Sequence, residues 1–73
     1  MDRIFYFRII TELLNSGNYY DIKEITQFIE DKINVQISEA TVRNVLKIYE
    51  MRGKIITKPK EIKTRSILYK LNK

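Results

Sequence analysis

The stretch ISEATVRNVLKIYEMRG, residues 37–53, decides the fold of this chain. Its apolar residues recur at the three- and four-residue spacing of one buried stripe on an α-helix. They are Val42, Val45, Leu46 and Tyr49. Ser38 is a typical N-cap, and Gly53 is suited to the left-handed position that ends a helix. The stretch therefore predicts a helix over residues 38–52 with one face against a core.

The sequence before this helix predicts two further amphipathic helices. The first covers residues 2–16 and ends before Gly17. The second covers residues 21–33, follows a short extended piece, and begins with a capping box formed by Asp21 and Glu24. Asn34, which tolerates left-handed backbone, follows it. The predicted buried residues of these helices are Tyr6, Phe7, Ile9, Ile10, Leu13, Leu14, Ile22, Ile25, Phe28, Ile29 and Ile33.

After Gly53 the sequence changes from helical to strand periodicity. Residues 55–57 and 66–71 are β-prone, and their alternation places Ile67, Tyr69 and Leu71 on one face. Pro59 and the lysines around it predict an exposed polar turn. We therefore expect residues 1–73 to form one α+β domain with three helices and a C-terminal β-hairpin over residues 54–72.

The composition excludes several kinds of chemistry. The 73 residues include no Cys and no His, so a disulfide framework, a zinc finger, a thiol nucleophile and an imidazole base are all excluded. Asp21 with Glu24 is explained by helix capping, and Glu30 with Asp31 makes no convincing catalytic pair. We expect no enzymatic activity, no cofactor and no metal site.

The charge is strongly segregated along the chain. The net charge is +5, but residues 1–42 carry four basic and seven acidic groups, a net of −3, whereas residues 43–73 carry ten basic and two acidic groups, a net of +8. Such asymmetry is typical of a surface that binds a polyanion, either a nucleic acid or an anionic membrane face. A solvated Lys-rich tail is the simpler alternative.

The segment Ile37-Ser38-Glu39-Ala40-Thr41-Val42-Arg43-Asn44-Val45-Leu46-Lys47, with Gly53-Lys54-Ile55 after it, resembles the recognition-helix segment of winged-helix DNA-binding domains. It is most similar to the HrcA, DeoR and Fur types of bacterial repressor. Tyr69-Lys70-Leu71 similarly resembles the last wing strand. The element order covers almost the whole chain, whereas the specific motif covers residues 37–55. The resemblance implies a three-helix winged helix-turn-helix with a C-terminal β-hairpin wing, as in small prokaryotic, archaeal or viral transcriptional repressors.

The exposed face of the third helix is suited to a DNA major groove. Arg can pair with guanine and Asn with adenine there, and a small residue permits close approach or contact with a thymine methyl group. The candidate base-reading residues are Ala40, Arg43, Asn44 and Lys47. An ordinary solvated helix face is the alternative.

Phosphate contacts are expected at the start of this helix and in a flexible basic hairpin loop. Free N–H groups and the positive end of the helix dipole favour a phosphate there, and loop cations can follow the backbone or enter the minor groove. The candidate phosphate-binding residues are Ser38, Thr41, Lys54, Lys58, Lys60, Lys63 and Arg65. N-capping alone also explains Ser38, and lysines also keep sheet edges soluble.

Several apolar residues lie outside the predicted core stripes. Ile4 and Phe5 do so on the first helix, and Ile48 and Met51 on the third. Exposed apolar groups often mark an interface, so we predict a homodimer through Ile4 and Phe5 that reads a roughly palindromic site. The alternative is that these side chains cover loose ends of a small core.

The leading prediction is sequence-specific binding of double-stranded DNA by a transcriptional regulator that represses by occlusion, with no small-molecule effector. Two alternatives stay open. One is a winged-helix protein-interaction module of a larger replication, transcription or membrane-remodelling assembly. The other is binding of RNA or single-stranded nucleic acid through Tyr19, Tyr20 and the basic hairpin. The longest apolar run, residues 4–7, is far shorter than a membrane span, and no secretory signal pattern is present, so we expect a cytoplasmic, nucleoid-associated protein without membrane contact.

Overall fold

In the part of the chain that the structure describes, three α-helices pack with a three-stranded antiparallel β-sheet. The computed structural model describes residues 3–61 and 66–73. The elements follow in the order α1 (Arg3–Leu14), β1 (Tyr20–Asp21), α2 (Ile22–Ile33), α3 (Glu39–Met51), β2 (Ile55–Pro59) and β3 (Ile67–Leu71). The predicted α+β class is confirmed at this level. Within the described ranges, no helix has the length and hydropathy needed to cross a membrane.

Side-chain caps start α2 and α3 where the sequence predicts them. Asp21 Oδ1 accepts the N–H of Glu24 at 2.8 Å, and Glu24 Oε1 accepts the N–H of Asp21 at 3.1 Å, which completes the capping box. Ser38 Oγ accepts the N–H of Thr41 at 3.1 Å. These bonds satisfy N–H groups that have no partner inside the helix.

Residues with left-handed backbone follow the helices. Gly17, Asn34 and Gly53 have φ angles of 83°, 58° and 77°, as predicted from their residue types. The first helix is shorter than predicted. It ends at Leu14, because the chain already turns there and the N–H of Gly17 bonds to the carbonyl of Leu14 at 3.1 Å.

The core lies where the three helices meet the sheet. The predicted stripe of α3 is buried, and the rings of Phe7 on α1 and Tyr49 on α3 stack with centroids 3.7 Å apart. The other predicted helix residues are buried or pack partly buried against the core, except Phe28. Phe28 is half-buried outside this cluster, with the Lys32 ammonium 5.5 Å from its ring centroid. Each fully buried aliphatic side chain contributes roughly 1.5–3 kcal/mol to folding. The buried hydrophobic residues are Ile10, Leu14, Ile25, Ile29, Val42, Val45, Leu46, Tyr49, Ile55 and Tyr69.

In the sheet, β3 is the central strand, with β1 on one side and β2 on the other. Tyr69 is the partner of both Tyr20 and Thr57. The sequence predicts the short extended piece but not its pairing with the hairpin. Ile67 shares the face of the buried Tyr69 as predicted, yet it is 43% exposed, because it lies opposite Pro59 near the turn, where charged side chains of α3 face it.

The second strand is longer than predicted. Lys58 and Pro59 belong to β2 and pair with Leu68 and Ile67, whereas the sequence places them in a turn. Proline is tolerated because β2 is an edge strand. An edge strand has a neighbour on one side only, so the N–H that proline lacks need not remove a hydrogen bond from the sheet. The prediction underestimated the strand because a proline inside a β-prone run normally marks its end.

Asp21→Ala is expected to lower the free energy of unfolding by about 0.5–2 kcal/mol at neutral pH, since the Glu24 N–H loses its capping acceptor. The Glu24 N–H holds the pKa of Asp21 below its usual 3.8; partial burial opposes this, and the Lys60 ammonium lowers the pKa further. Because the folded pKa is the lower one, the contribution of the carboxylate is complete above about pH 4 and is lost as the pH falls through the folded value.

Urea denaturation of wild-type protein and Asp21→Ala between neutral and acidic pH would test this expectation. The two curves should converge in acid. Asp31→Ala is the matched control, because Asp31 is exposed and bonds only to the side chain of Gln27 among the described contacts. A difference between wild type and Asp21→Ala that is the same at every pH would contradict the assignment.

Candidate nucleic-acid interface

The outward side of α3 presents a continuous exposed stripe. Ala40, Asn44 and Lys47 lie four and three residues apart, opposite the buried stripe, and all three are exposed. Arg43 lies beside them, with 56% of its side chain exposed, and its Nη2 is 4.0 Å from Glu39 Oε1. An ion pair this long and this exposed adds little stability, so the guanidinium can exchange its partner at low cost.

Between α3 and the hairpin lies a groove of about 180 Å³, lined by Arg43, Lys47, Glu50, Thr57, Ile67 and Tyr69. Thr57 Oγ1 donates a hydrogen bond to Glu50 Oε2 at 2.9 Å, which ties β2 to α3. Burial raises the pKa of the Tyr69 hydroxyl, while the nearby charge of Arg43 opposes that rise and the charge of Glu50 reinforces it. Two of the four candidate base-reading residues thus line a groove next to the hairpin.

Ser38 and Thr41 lie together at the start of α3. Their hydroxyl oxygens are 2.9 Å apart, and both residues are exposed. The N-cap role of Ser38 is confirmed. A phosphate contact at this helix end stays a prediction.

Lys60 is engaged by an acidic residue. Its Nζ lies 3.2 Å from Asp21 Oδ2, and its backbone N–H bonds to the carbonyl of Ser66 at 2.9 Å. The sequence instead places Lys60 on a free loop. With Arg43 and Lys23, Lys60 lines a groove of about 360 Å³ at the starts of α2 and α3.

The remaining phosphate-binding candidates of the hairpin, apart from Lys58, are Lys54, Lys63 and Arg65. Lys54 is exposed just before β2. Lys63 and Arg65 lie outside the described residues.

Lys58 does not lie beside α3. Its neighbour Thr57 faces α3, and because side chains alternate along a strand, Lys58 projects from the other sheet face. There the Nζ atoms of Lys58 and Lys70 lie 4.1 and 5.5 Å from the centroid of the Tyr19 ring. The sequence does not indicate this cluster, because it places Lys58 in a turn and because the approach of Tyr19 depends on the pairing of β1 with β3.

The positive charge is concentrated on the hairpin and not on α3. Within α3 two acidic residues, Glu39 and Glu50, balance Arg43 and Lys47. The three strands carry Lys58 and Lys70 against one carboxylate, at Asp21. The strands thus carry a net charge of only +1. Most of the basic excess lies in the segments beside them, at Arg52, Lys54, Lys60 and Lys73 against Glu61, next to a charge-balanced helix.

Three of the four apolar residues that lie outside the predicted core stripes are exposed. Ile4 and Met51 are 59% and 78% exposed, and Phe5, 41% exposed, meets the ring of Tyr6 edge-on at 6.0 Å. Ile48 is half-buried. The homodimer through Ile4 and Phe5 stays a prediction.

Among the residues that the structure describes, no group of three or more His, Cys, Asp or Glu side chains is placed to hold a metal ion. Comparison of the chain with protein-family models finds no match, and comparisons with curated proteins and with solved structures find none either.

Proposed function

We propose that this protein binds double-stranded DNA through α3 and regulates transcription by occluding the site it binds. The observation that carries the proposal is the exposed stripe of Ala40, Asn44 and Lys47 on a helix whose opposite side is anchored in the core. An α-helix fits the major groove, and each of these residue types has a suitable contact at a base edge. Arg43, at the margin of the groove beside the hairpin, adds a bidentate donor for guanine.

The order of the elements supports a winged helix-turn-helix interpretation of the fold. In this interpretation α2 and α3 are the helix-turn-helix, and β2 with β3 is the wing. The short β1, paired with β3 and directly followed by α2, anchors the hairpin to the helical core. A hairpin fixed in this way would follow the DNA backbone next to the major groove that α3 occupies.

Phosphate contacts would come from both ends of this surface. Ser38 and Thr41 offer hydroxyl groups at the positive end of α3, where the backbone N–H of Thr41 is already bonded to Ser38 Oγ. Lys54 and Lys60 offer charge from the hairpin. Lys60, whose side chain is 48% exposed, would exchange Asp21 for a phosphate, and the Asp21 carboxylate would keep the Glu24 N–H as its donor.

Two copies joined through the first turn of α1 would read a two-fold symmetric site. Ile4 and Phe5 supply exposed apolar area for such a homodimer. Occupation of an operator by the dimer would be enough for repression, because occlusion needs no further activity.

Selection of bound duplexes from a random pool tests binding, sequence preference and symmetry together. We expect one enriched motif with two half-sites, a dimer in sedimentation, and an affinity whose logarithm falls linearly with the logarithm of the salt concentration. A single asymmetric half-site together with a monomeric mass would contradict the proposed homodimer but not the proposed contact of α3 with DNA.

Parallel pools of single-stranded DNA and RNA are the control. Preferential retention of either would contradict the duplex assignment and favour stacking on the hairpin side. If no pool is retained at low salt, a protein-interaction module becomes the better account of the fold.

A further inference from the structure

A second basic surface lies on the side of the sheet turned away from α3. We call it the outer sheet face and define it by Tyr19, Ile56, Lys58 and Lys70. The register pairs Lys70 with Ile56, two residues before Lys58, so the two lysines are diagonal neighbours on β3 and β2. Diagonal neighbours are close enough for long side chains to meet.

The ring of Tyr19 holds these two lysines together. Both ammonium groups lie over the ring, at 4.1 and 5.5 Å from its centroid. Cations are attracted to the negative face of an aromatic ring, so the ring draws together two like charges that would otherwise repel each other. The outer sheet face thus presents a paired positive charge in a defined place.

The charge on this face has little opposition. Asp21 is the only acidic residue of the three strands, and its carboxylate is already bonded to the N–H of Glu24 and to Lys60. A groove of about 270 Å³ continues the face past Lys70 to Lys73. Three lysines therefore follow one another along a surface that runs from β2 to the end of the described chain.

We propose that the outer sheet face binds the phosphate backbone of a second segment of duplex DNA. Lysine ammonium groups act as point charges toward phosphate oxygens, so the contact is electrostatic and independent of sequence. The apolar residues of this side of the sheet offer little surface for insertion into a lipid bilayer, because Ile56 is only 37% exposed and Leu68, which pairs with Lys58, is half-buried. A polyanion that carries its charges on its outer surface is therefore a better partner for this face than a lipid bilayer.

The position of this face gives it a distinct role from α3. Thr57 and Lys58 are consecutive residues on β2, and the first bonds to α3 while the second contacts Tyr19. The two surfaces therefore lie on opposite sides of the sheet and can be occupied together. One molecule would then bridge two duplex segments, which goes beyond occupation of a single operator.

A capture assay tests the bridge. Duplex of arbitrary sequence is fixed to beads, and a second, labelled duplex of arbitrary sequence is added with and without protein at low salt. Wild-type protein is expected to retain the labelled duplex. Lys58→Gln with Lys70→Gln should reduce capture on the order of tenfold and lower the salt slope of binding by about 2. Tyr19→Leu, which keeps both charges, should give a smaller loss.

Two matched variants test whether a loss of capture comes from the outer sheet face and not from a lower total charge or from misfolding. Arg8→Gln with Lys32→Gln removes the same charge from α1 and α2, and should capture like wild type. Lys58→Arg with Lys70→Arg keeps the charge on the outer sheet face and should also capture like wild type. Loss of capture in either variant would overturn the proposal, as would unchanged capture by the Gln variant.

The outcomes also distinguish this proposal from the one for α3. Binding of a selected site without capture of a second duplex overturns the outer sheet face alone. Capture that depends on Lys58 and Lys70, without any selected sequence, supports the outer sheet face and overturns sequence reading by α3. Preferential binding of single-stranded DNA or of phosphatidylserine vesicles over duplex overturns the assignment of duplex backbone to this face.

Discussion

Leu46→Ala is expected to lower the free energy of unfolding by about 2–5 kcal/mol. Leu46 is fully buried in the cluster where α3 meets the other helices and the sheet. Truncation leaves a cavity that a core of this size has few neighbouring side chains to fill. Small domains are typically stable by about 5–15 kcal/mol, so one substitution removes a large part of the total. The melting temperature should fall by at least about 8 °C.

Met51→Ala is the matched control for this prediction. Met51 lies on the same helix but is 78% exposed, so its truncation should change stability by no more than about 0.5 kcal/mol. Urea denaturation followed by far-UV circular dichroism measures both variants. Similar losses for the two variants would mean that the burial of α3 is not as described.

Arg43→Ala is expected to weaken binding to the selected duplex by about 1–3 kcal/mol and to relax the preference at one base pair. Arg43 lies where the exposed side of α3 meets the hairpin groove, and its only ion-pair partner among the described residues is the half-buried Glu39 at 4.0 Å. Guanidinium donors are therefore available to a base edge. Binding to unselected duplex should decrease much less, because it depends on charge alone.

Arg52→Ala is the matched control for charge. It removes the same group from the end of α3, but the guanidinium of Arg52 lies over the ring of Tyr49, 5.6 Å from its centroid, and outside the groove beside the hairpin. Titration of selected and unselected duplexes with both variants is the measurement. If Arg52→Ala alters sequence preference as much as Arg43→Ala does, α3 does not read bases through Arg43.

Local features of the fold could be predicted from the sequence. Asp21, Ser38 and Asn34 act on backbone groups a few residues away, so their residue types and spacing are sufficient to identify them. The buried stripe of α3 follows from helical periodicity in the same way. The end of α1 could not be fixed from residue types alone, because it depends on backbone hydrogen bonds between residues 11 and 17.

Pairings between distant residues could not be predicted in this way. Neither the partner of Tyr20 nor the contact between Lys60 and Asp21 has a signature in the neighbouring sequence, since each joins residues almost forty or more positions apart. The candidate site shows the same difference between local features and long-range pairings. The exposed stripe of α3 followed from its own periodicity, whereas the neighbours of Lys58 depend on how β3 places Lys70 next to Tyr19.

The central position of β3 has a consequence for the order of folding. Both other strands pair only with β3, yet β3 follows every other element along the chain. The helices can begin to pack as the chain is synthesised, but β1 and β2 have no partner until residues 67–71 are available. Until then the two strands leave their backbone donors and acceptors to water, and the Tyr19 ring lacks one of its two lysines. Assembly of the sheet, and of the surface it carries, therefore requires β3, the strand furthest along the described chain.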